Sequence, residues 1–410
     1  MTQWYAAADA EEVAAGLLER FHEAYGREAA GVWAAPGRVN VIGEHVDYNG
    51  GLALPFALEH RTFAAVAVRD DGIVRVESVQ APGEGWSGPL ADIAPGVVPG
   101  WAGYAAGVPW ALARRGLPVP GVDVVIDGRV PLGAGLSSSA AVECAVAVAL
   151  DELAGLGLGA DDAGRARLAA ACVDAENDIA GAPTGGLDQA AALRTTAREA
   201  LLLDCRDFSI TPVPLDLAAS GLALLVIDTH AHHALVDGQY GTRRDACAHA
   251  VDLLGVPDLR AVEPAGLADA LDRLGSTGLP DDRVAELQRL VRHVVTEVER
   301  VREVASLCRQ GRLAEIGPVL DASHASLRDD YAVSCVELDV TCETARAAGA
   351  LGARMVGGGF GGSAIALVPS ARVDEVAERV EEAFARSGFG EPSFLLATPS
   401  DPAGRVSPPG

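Results

Sequence analysis

The residues able to do chemistry gather in a few short stretches. Residues 131–141, PLGAGLSSSAA, set Pro131, Leu132, Gly133, Ala134, Gly135 and Leu136 ahead of Ser137, Ser138 and Ser139, with Ala140 and Ala141 behind them. Small residues let backbone N–H groups approach an anion, and the free N–H groups of a following helix add the positive end of its dipole. The stretch is a candidate phosphate cradle, although a Gly/Ser-rich turn before a helix is by itself more often an ordinary capped loop. Residues 31–51, GVWAAPGRVNVIGEHVDYNGG, bring Arg38, Glu44, His45 and Asp47 within ten positions and flank them with glycines. That loop carries too much charge for mere connection; its bland alternative is a solvated, salt-bridged turn. Residues 355–367, MVGGGFGGSAIAL, crowd five glycines around Phe360, a density that implies backbone lying against a ligand or another turn.

Other candidates are weaker. The P-loop pattern needs a lysine, and none of the 410 residues is a lysine, which also removes Schiff-base chemistry. The dinucleotide pattern fails because Gly133 and Gly135 are followed by Ser138. Asp188, in the turn AGAPTGGLDQ, has no basic neighbour in sequence, and since a lone Asp at a helix start is usually just a cap or dipole partner, its role cannot be assigned locally. His230, His232 and His233 lie close together, but no Cys or carboxylate pattern completes a metal site, and solvated loop histidines are expected. The seven cysteines are scattered without a C-x-x-C pair, which favours reduced, buried thiols.

The elements that must position these residues follow from periodicity. Val13, Leu17, Leu18 and Phe21 predict a first helix ended by Gly26. Residues 61–68 and 73–79 alternate as strands, with Asp71-Gly72 as a hairpin turn between them. Residues 121–127 form a strand that leads into the cradle, and a helix over 139–156 follows it. Another helix covers 161–177, residues 199–213 make a hairpin, and 222–227 make an apolar strand. The stripe Val284, Leu287, Val291, Val294, Val298, Val301 and Val304 predicts a long packing helix over 282–309. Residues 323–339 are a polar stretch before another helix, 373–384 an amphipathic helix, and the tail beyond Pro399 is loose.

The whole chain suits two domains, 1–213 and 214–410, with a cleft between them. A net charge of −25 opposes nucleic acid and anionic membranes, so a phosphate site must rely on backbone dipoles, metal ions and a few arginines. No apolar run is long enough to span a membrane and the N-terminus is acidic, so the cytoplasm is expected. No obligate protein partner is evident.

In this order the three motifs resemble the three signature regions of the GHMP small-molecule kinases, and the first is close to the galactokinase signature. ENDIAGAPTGGLDQ, DGQYGTRR and SHASLRDDYAVSCVELD also resemble segments of that family, so the likeness runs from about residue 32 to 367. Two positions depart from the usual pattern: Val46 stands where Thr is common, and Leu187 precedes Asp188 where Met is. The resemblance implies an α+β, two-lobed fold with sugar and ATP in the cleft between the lobes. It implies that Glu44, His45, Asp47, Gly185, Asp188 and Tyr240 hold the sugar and that residues 131–141 hold ATP. Arg38 and Asp188 become the catalytic pair, and Mg²⁺ sits near Ser139 and Glu176. The implied reaction is phosphorylation of D-galactose at its anomeric oxygen. Alternatives are a sibling kinase for N-acetylgalactosamine or arabinose, and a non-catalytic galactose and ATP sensor.

Overall fold

The strand Gly31–Asn40 is buried along almost its whole length, because each face of its sheet is covered. Val32 and Ala34 point to one face, where they pack with Leu17 and Phe21 of the helix Ala10–Tyr25. Trp33 and Ala35 point to the other, where they meet a core that includes Val108, Cys144 and Leu168. This period of two is the ordinary alternation of a strand. A computed structural model describes residues 2–182, 184–232 and 239–406 of the chain.

The sheet has six strands in the spatial order Gly404–Val406, Gly31–Asn40, Pro55–Arg69, Gly121–Gly128, Ile73–Ser78 and Trp86–Pro89. The hairpin expected across Asp71-Gly72 does not form. Gly121–Gly128 lies between the two strands, antiparallel to Pro55–Arg69 and parallel to Ile73–Ser78. Its continuous apolar run is buried on both faces, which suits a central strand better than an edge. A second sheet runs Gln3–Trp4, Ser393–Ala397, Leu222–His232, Gly361–Pro369 and Gly352–Val356. Leu52–Ala53 joins the expected 199–213 hairpin in a small third sheet.

The chain ends exchange lobes. Gln3–Trp4 pairs with Ser393–Ala397 in the second sheet, and Gly404–Val406 pairs with the first-motif strand in the first. The tail is therefore not loose as far as Val406: Arg405 makes an ion pair with Glu152 and lies 5.1 Å from the Trp33 ring centre. The polar stretch 323–339 also differs from expectation, since its first half continues the helix Gly317–Asp329. The helix Asp281–Arg309 forms as predicted, and its valine stripe packs with Val41, Ile42 and Val46 of the first motif in one core that spans both halves of the chain. Each such side chain, fully buried, contributes about 1.5–3 kcal/mol.

One irregularity in the first sheet matters for the site. The pairing of Gly31–Asn40 with Pro55–Arg69 shifts register between Pro36 and Arg38. Gly37 alone faces residues 58–60 of the partner strand there, and such an irregularity changes the local twist beside Arg38. At Gly37 a Cβ would come 2.6 Å from the Leu136 carbonyl and 2.8 Å from Val130, so the strand and the Gly/Ser turn touch here backbone to backbone. The Arg38 N–H donates to that same Leu136 carbonyl at 3.0 Å. Gly37→Ala should therefore cost about 1–3 kcal/mol, the usual range for overpacking. Urea denaturation measures it, and an unchanged midpoint would show that the strand and turn are not in contact.

Candidate active site

Arg38 and Asp188 lie 150 positions apart, yet meet in the cleft. Arg38 Nε and Nη2 both lie 2.9 Å from Asp188 Oδ1. Arg38 Nη1 donates to the Gly135 carbonyl, and the Ser137 hydroxyl donates to Asp188 Oδ2. Asp188 is in the first turn of the helix Leu187–Arg194, entered through Gly186 at φ 90°. Its role, which the local sequence leaves unassigned, is a long-range ion pair with Arg38. Ser137, at φ 62° just ahead of the helix Ser138–Leu153, gives its hydroxyl to Asp188 instead of capping the helix. The third motif closes the joint, because Ser363 Oγ donates to the Ala134 carbonyl at 2.7 Å.

Around this pair lies a cavity of about 220 Å³, lined by Arg38, Asn40, Gly43, Glu44, His45, Asp47, Glu176, Thr184, Leu187, Asp188, Tyr240, Gly357 and Gly358. It is smaller than the roughly 300–1,000 Å³ of drug-sized sites and its lining is polar, which suits a compact polyhydroxy ligand. Gly185 packs against Asp47 of this lining, where a side chain would not fit: a Cβ there would fall 2.2 Å from Asp47 Oδ2. Leu187 lines the cavity, whereas Val46 is fully buried against Gly51 and does not reach it.

The first-motif side chains differ in how free they are. Glu44 accepts from Gly357 N–H at 2.8 Å and from the Asn40 amide, and it lies 3.1 Å from Arg354 Nη2. Burial pushes its carboxyl up, against the pull of Arg354, Arg38 and the Gly357 amide. Arg354 is itself fully buried and also donates to the Asn40 and Val41 carbonyls. His45 is fixed as one tautomer. Its Nε2 faces the Gly358 carbonyl at 3.1 Å, an acceptor only, so Nε2 carries the proton and Nδ1 accepts from Tyr48 at 2.8 Å. Burial, with help from His293 and Arg243, lowers its pKa to about 3, so it stays neutral. Tyr240 opens the helix Gln239–Leu254 and sets its ring 5.6 Å from that of His45.

A second polar corner lies beside the Gly/Ser turn. Glu176 sits in a π-helical turn, Ala175–Ala180, that ends the helix Asp162–Asp174, a local irregularity frequent at functional sites. It is buried, not an exposed helix carboxylate, and hydrogen-bonds Ser139. Burial and Asp188 push its carboxyl up to about 7. Gln189 Nε2 donates to Glu176 at 2.5 Å and to Glu143 at 3.0 Å. Burial and Glu176 raise the Glu143 carboxyl well above the usual range. A buried carboxylate held up in pKa by another carboxylate, beside a serine hydroxyl, is a donor set that a hard cation would relieve. Among the described residues no group of three or more His, Cys, Asp or Glu could hold a metal alone, so the remaining ligands would come from phosphates and water.

Sequence reasoning missed Glu143, Gln189, Arg354, His293 and Glu297. The signal was there: each of these except Gln189 is a charged or titratable residue within an apolar run. His230 was misread as loop. It lies two residues before the end of the strand Leu222–His232 and bonds Ser393 Oγ at 2.9 Å, while His233 lies outside the described residues.

Comparison with known proteins agrees with this architecture. The family described as GHMP kinases N terminal domain matches residues 104–195, and GHMP kinases C terminal matches residues 304–386. The fold is that of the GHMP kinase class; the mevalonate kinase of Methanococcus jannaschii shares it at 12% identity with a TM-score of 0.59, covering 92% of this chain and 98% of that one. The Galactokinase galactose-binding signature matches residues 19–68. Galactokinase from Streptomyces coelicolor is 50% identical over 396 residues, 97% of this chain and 99% of that one. Galactokinase from Mycobacterium tuberculosis is 45% identical over 361 residues, 88% and 95% of the two chains. The crystal structure of Lactococcus lactis galactokinase complexed with galactose superposes with a TM-score of 0.87 at 31% identity, covering 96% of this chain and all of that one. The chain belongs to the galactokinase family.

Asp47 yields a pH test. Burial, with Asp188 nearby, raises its carboxyl from 3.8 to about 6. A raised acid destabilises the fold as pH rises: the effect is absent below the unfolded value, grows between 3.8 and about 6, and is complete above that. Asp47→Asn should therefore raise the melting temperature of the sugar-free protein at pH 7.5 and leave it nearly unchanged at pH 4. Equal shifts at both pH values would remove Asp47 ionisation as the cause.

Proposed function

We propose that this protein transfers the γ-phosphoryl group of ATP to the anomeric oxygen of D-galactose, giving galactose 1-phosphate and ADP. The observation that carries the reading is the Arg38–Asp188 pair, placed where the Gly/Ser turn meets the small polar cavity. Residues 131–141 receive the phosphates through backbone N–H groups and the start of the helix Ser138–Leu153. Glu44, Asp47, Asp188 and Tyr240, with the backbone at Gly185, hold the sugar. His45 has both ring nitrogens occupied by protein, so it meets the sugar through its ring edge and peptide.

In the reaction the O–H bond at the anomeric carbon breaks and its proton passes to Asp188 as that oxygen forms a bond to the γ-phosphorus. The bond from phosphorus to the β,γ-bridging oxygen breaks, and its electron pair leaves with ADP. Phosphoryl transfer asks mainly for positioning and charge neutralisation. Arg38 supplies permanent positive charge beside the transferring group and orients Asp188 through two N–H groups. Ser139 and Glu176 would hold Mg²⁺, which, when bound, neutralises phosphate charge. The boundary between lobes falls near 213/214 with the ends exchanged, and the free cysteines fit a reducing cytoplasm.

Purified protein tested with a panel of galactose, N-acetylgalactosamine and arabinose, with ADP release coupled to an optical readout, should turn over galactose best. Asp188→Asn should lower kcat by about 10²–10⁴, the range of general-base catalysis, with much smaller changes in sugar and ATP binding. A wild-type protein that binds galactose and ATP without forming product would instead be a sensor.

A further inference from the structure

The helix Asp281–Arg309 was read from sequence as packing alone, but two polar side chains on its buried side do not fit that role. His293, Glu297 and Ser323 are fully buried. Glu297 Oε1 accepts from the Gly43 backbone N–H at 3.1 Å and from Ser323 Oγ at 2.7 Å, while Oε2 pairs with Arg300 at 2.7 Å. One helical turn earlier, His293 Nε2 lies 3.1 Å from the Glu44 carbonyl, which can only accept, and Nδ1 lies 3.0 Å from Ser326 Oγ. The N–H of one residue and the carbonyl of the next are thus held by one helix face. Between them lies the start of the loop that carries Glu44, His45 and Asp47.

Gly43 can occupy this place only because it has no side chain. Its φ is 102°, and a Cβ would fall 2.5 Å from the Leu52 carbonyl and 3.0 Å from Val301 of the same helix. A buried carboxylate costs several kcal/mol in lost hydration unless its bonds are made. One oxygen of this carboxylate is held on the Gly43 amide, which ties the position of the loop to the helix.

Resting on the galactose reading above, we infer that Glu297 and His293 are positioning residues for the sugar. They fix the peptides from Gly43 to His45 so that Glu44 and Asp47 present to the cleft in one arrangement, and they have no part in holding ATP. The serines of the 323–339 segment, Ser323 and Ser326, orient the two clamp residues and so take their place in the same device.

The test separates sugar from nucleotide. Glu297→Leu removes the acceptor and should raise the galactose dissociation constant about ten- to a hundredfold, as for a lost hydrogen bond to a charged group, with the ATP constant within about twofold. Glu297→Gln keeps an acceptor oxygen for Gly43 and should return galactose affinity to within about threefold of wild type. Arg300→Met removes the ion pair but leaves the Gly43 contact, so it should lower the melting temperature with galactose affinity within about twofold. A purely structural role would instead move galactose and ATP affinity together with stability. Native galactose affinity in folded Glu297→Leu, or equal losses for both ligands, would overturn the inference. Should that variant not fold, His293→Phe, which keeps ring volume and removes the donor to Glu44, decides by the same split. A wild-type protein that binds no galactose would overturn the functional reading and the clamp with it, whereas normal wild-type binding with indifferent variants would overturn the clamp alone.

Discussion

The ion pair between Arg38 and Asp188 is where the separate segments of this site become one object. Arg38 leaves a bulge in the first sheet, and Asp188 stands at the first turn of a short helix; the carbonyl of Gly135 and the hydroxyl of Ser137 bind them from the turn between. The guanidinium is almost wholly buried and so needs its partner. Each part of the arrangement depends on small residues at the contacts: Gly37 against Leu136, and Gly185 against Asp47. The motifs are rich in glycine because backbones must touch there.

Electrostatics gives the cleft its second property. Asp47 and Glu176 have raised pKa values, and in both cases burial leads and Asp188 contributes. In a chain of net charge −25, Arg38 beside Asp188 is the positive charge that acts on Glu176, while Arg354 is paired with Glu44. Such a cleft favours neutral ligands that donate hydrogen bonds, as sugar hydroxyls do; on the proposed reading the triphosphate enters through the N–H-rich turn together with a cation.

Much of this was legible in the sequence. The motifs announced themselves through glycine and serine density, and helices with a clean apolar stripe, such as Asp281–Arg309, formed within a residue of expectation. What was not legible depended on partners distant in sequence. Asp71-Gly72 is a sound turn signal, yet no local feature says that Gly121–Gly128 will insert between the strands it joins. Asp188 had no basic neighbour because its neighbour is 150 positions away. The tail seemed loose because three residues of strand carry too little pattern to be seen. Glu297 and His293 were hidden by the valines around them, although a carboxylate in a packing stripe is itself a signal.

The anomeric oxygen of galactose, on the proposed reading, attacks the γ-phosphorus in this cleft. Galactose carrying ¹⁸O at its anomeric carbon, incubated with ATP and the protein and followed by ³¹P NMR, tests it directly. The account predicts galactose 1-phosphate with the label retained in the oxygen that bridges carbon and phosphorus, seen as a small upfield isotope shift. Phosphate on a different oxygen, a product whose bridge lacks the label, or ATP consumed with no sugar phosphate formed would contradict it.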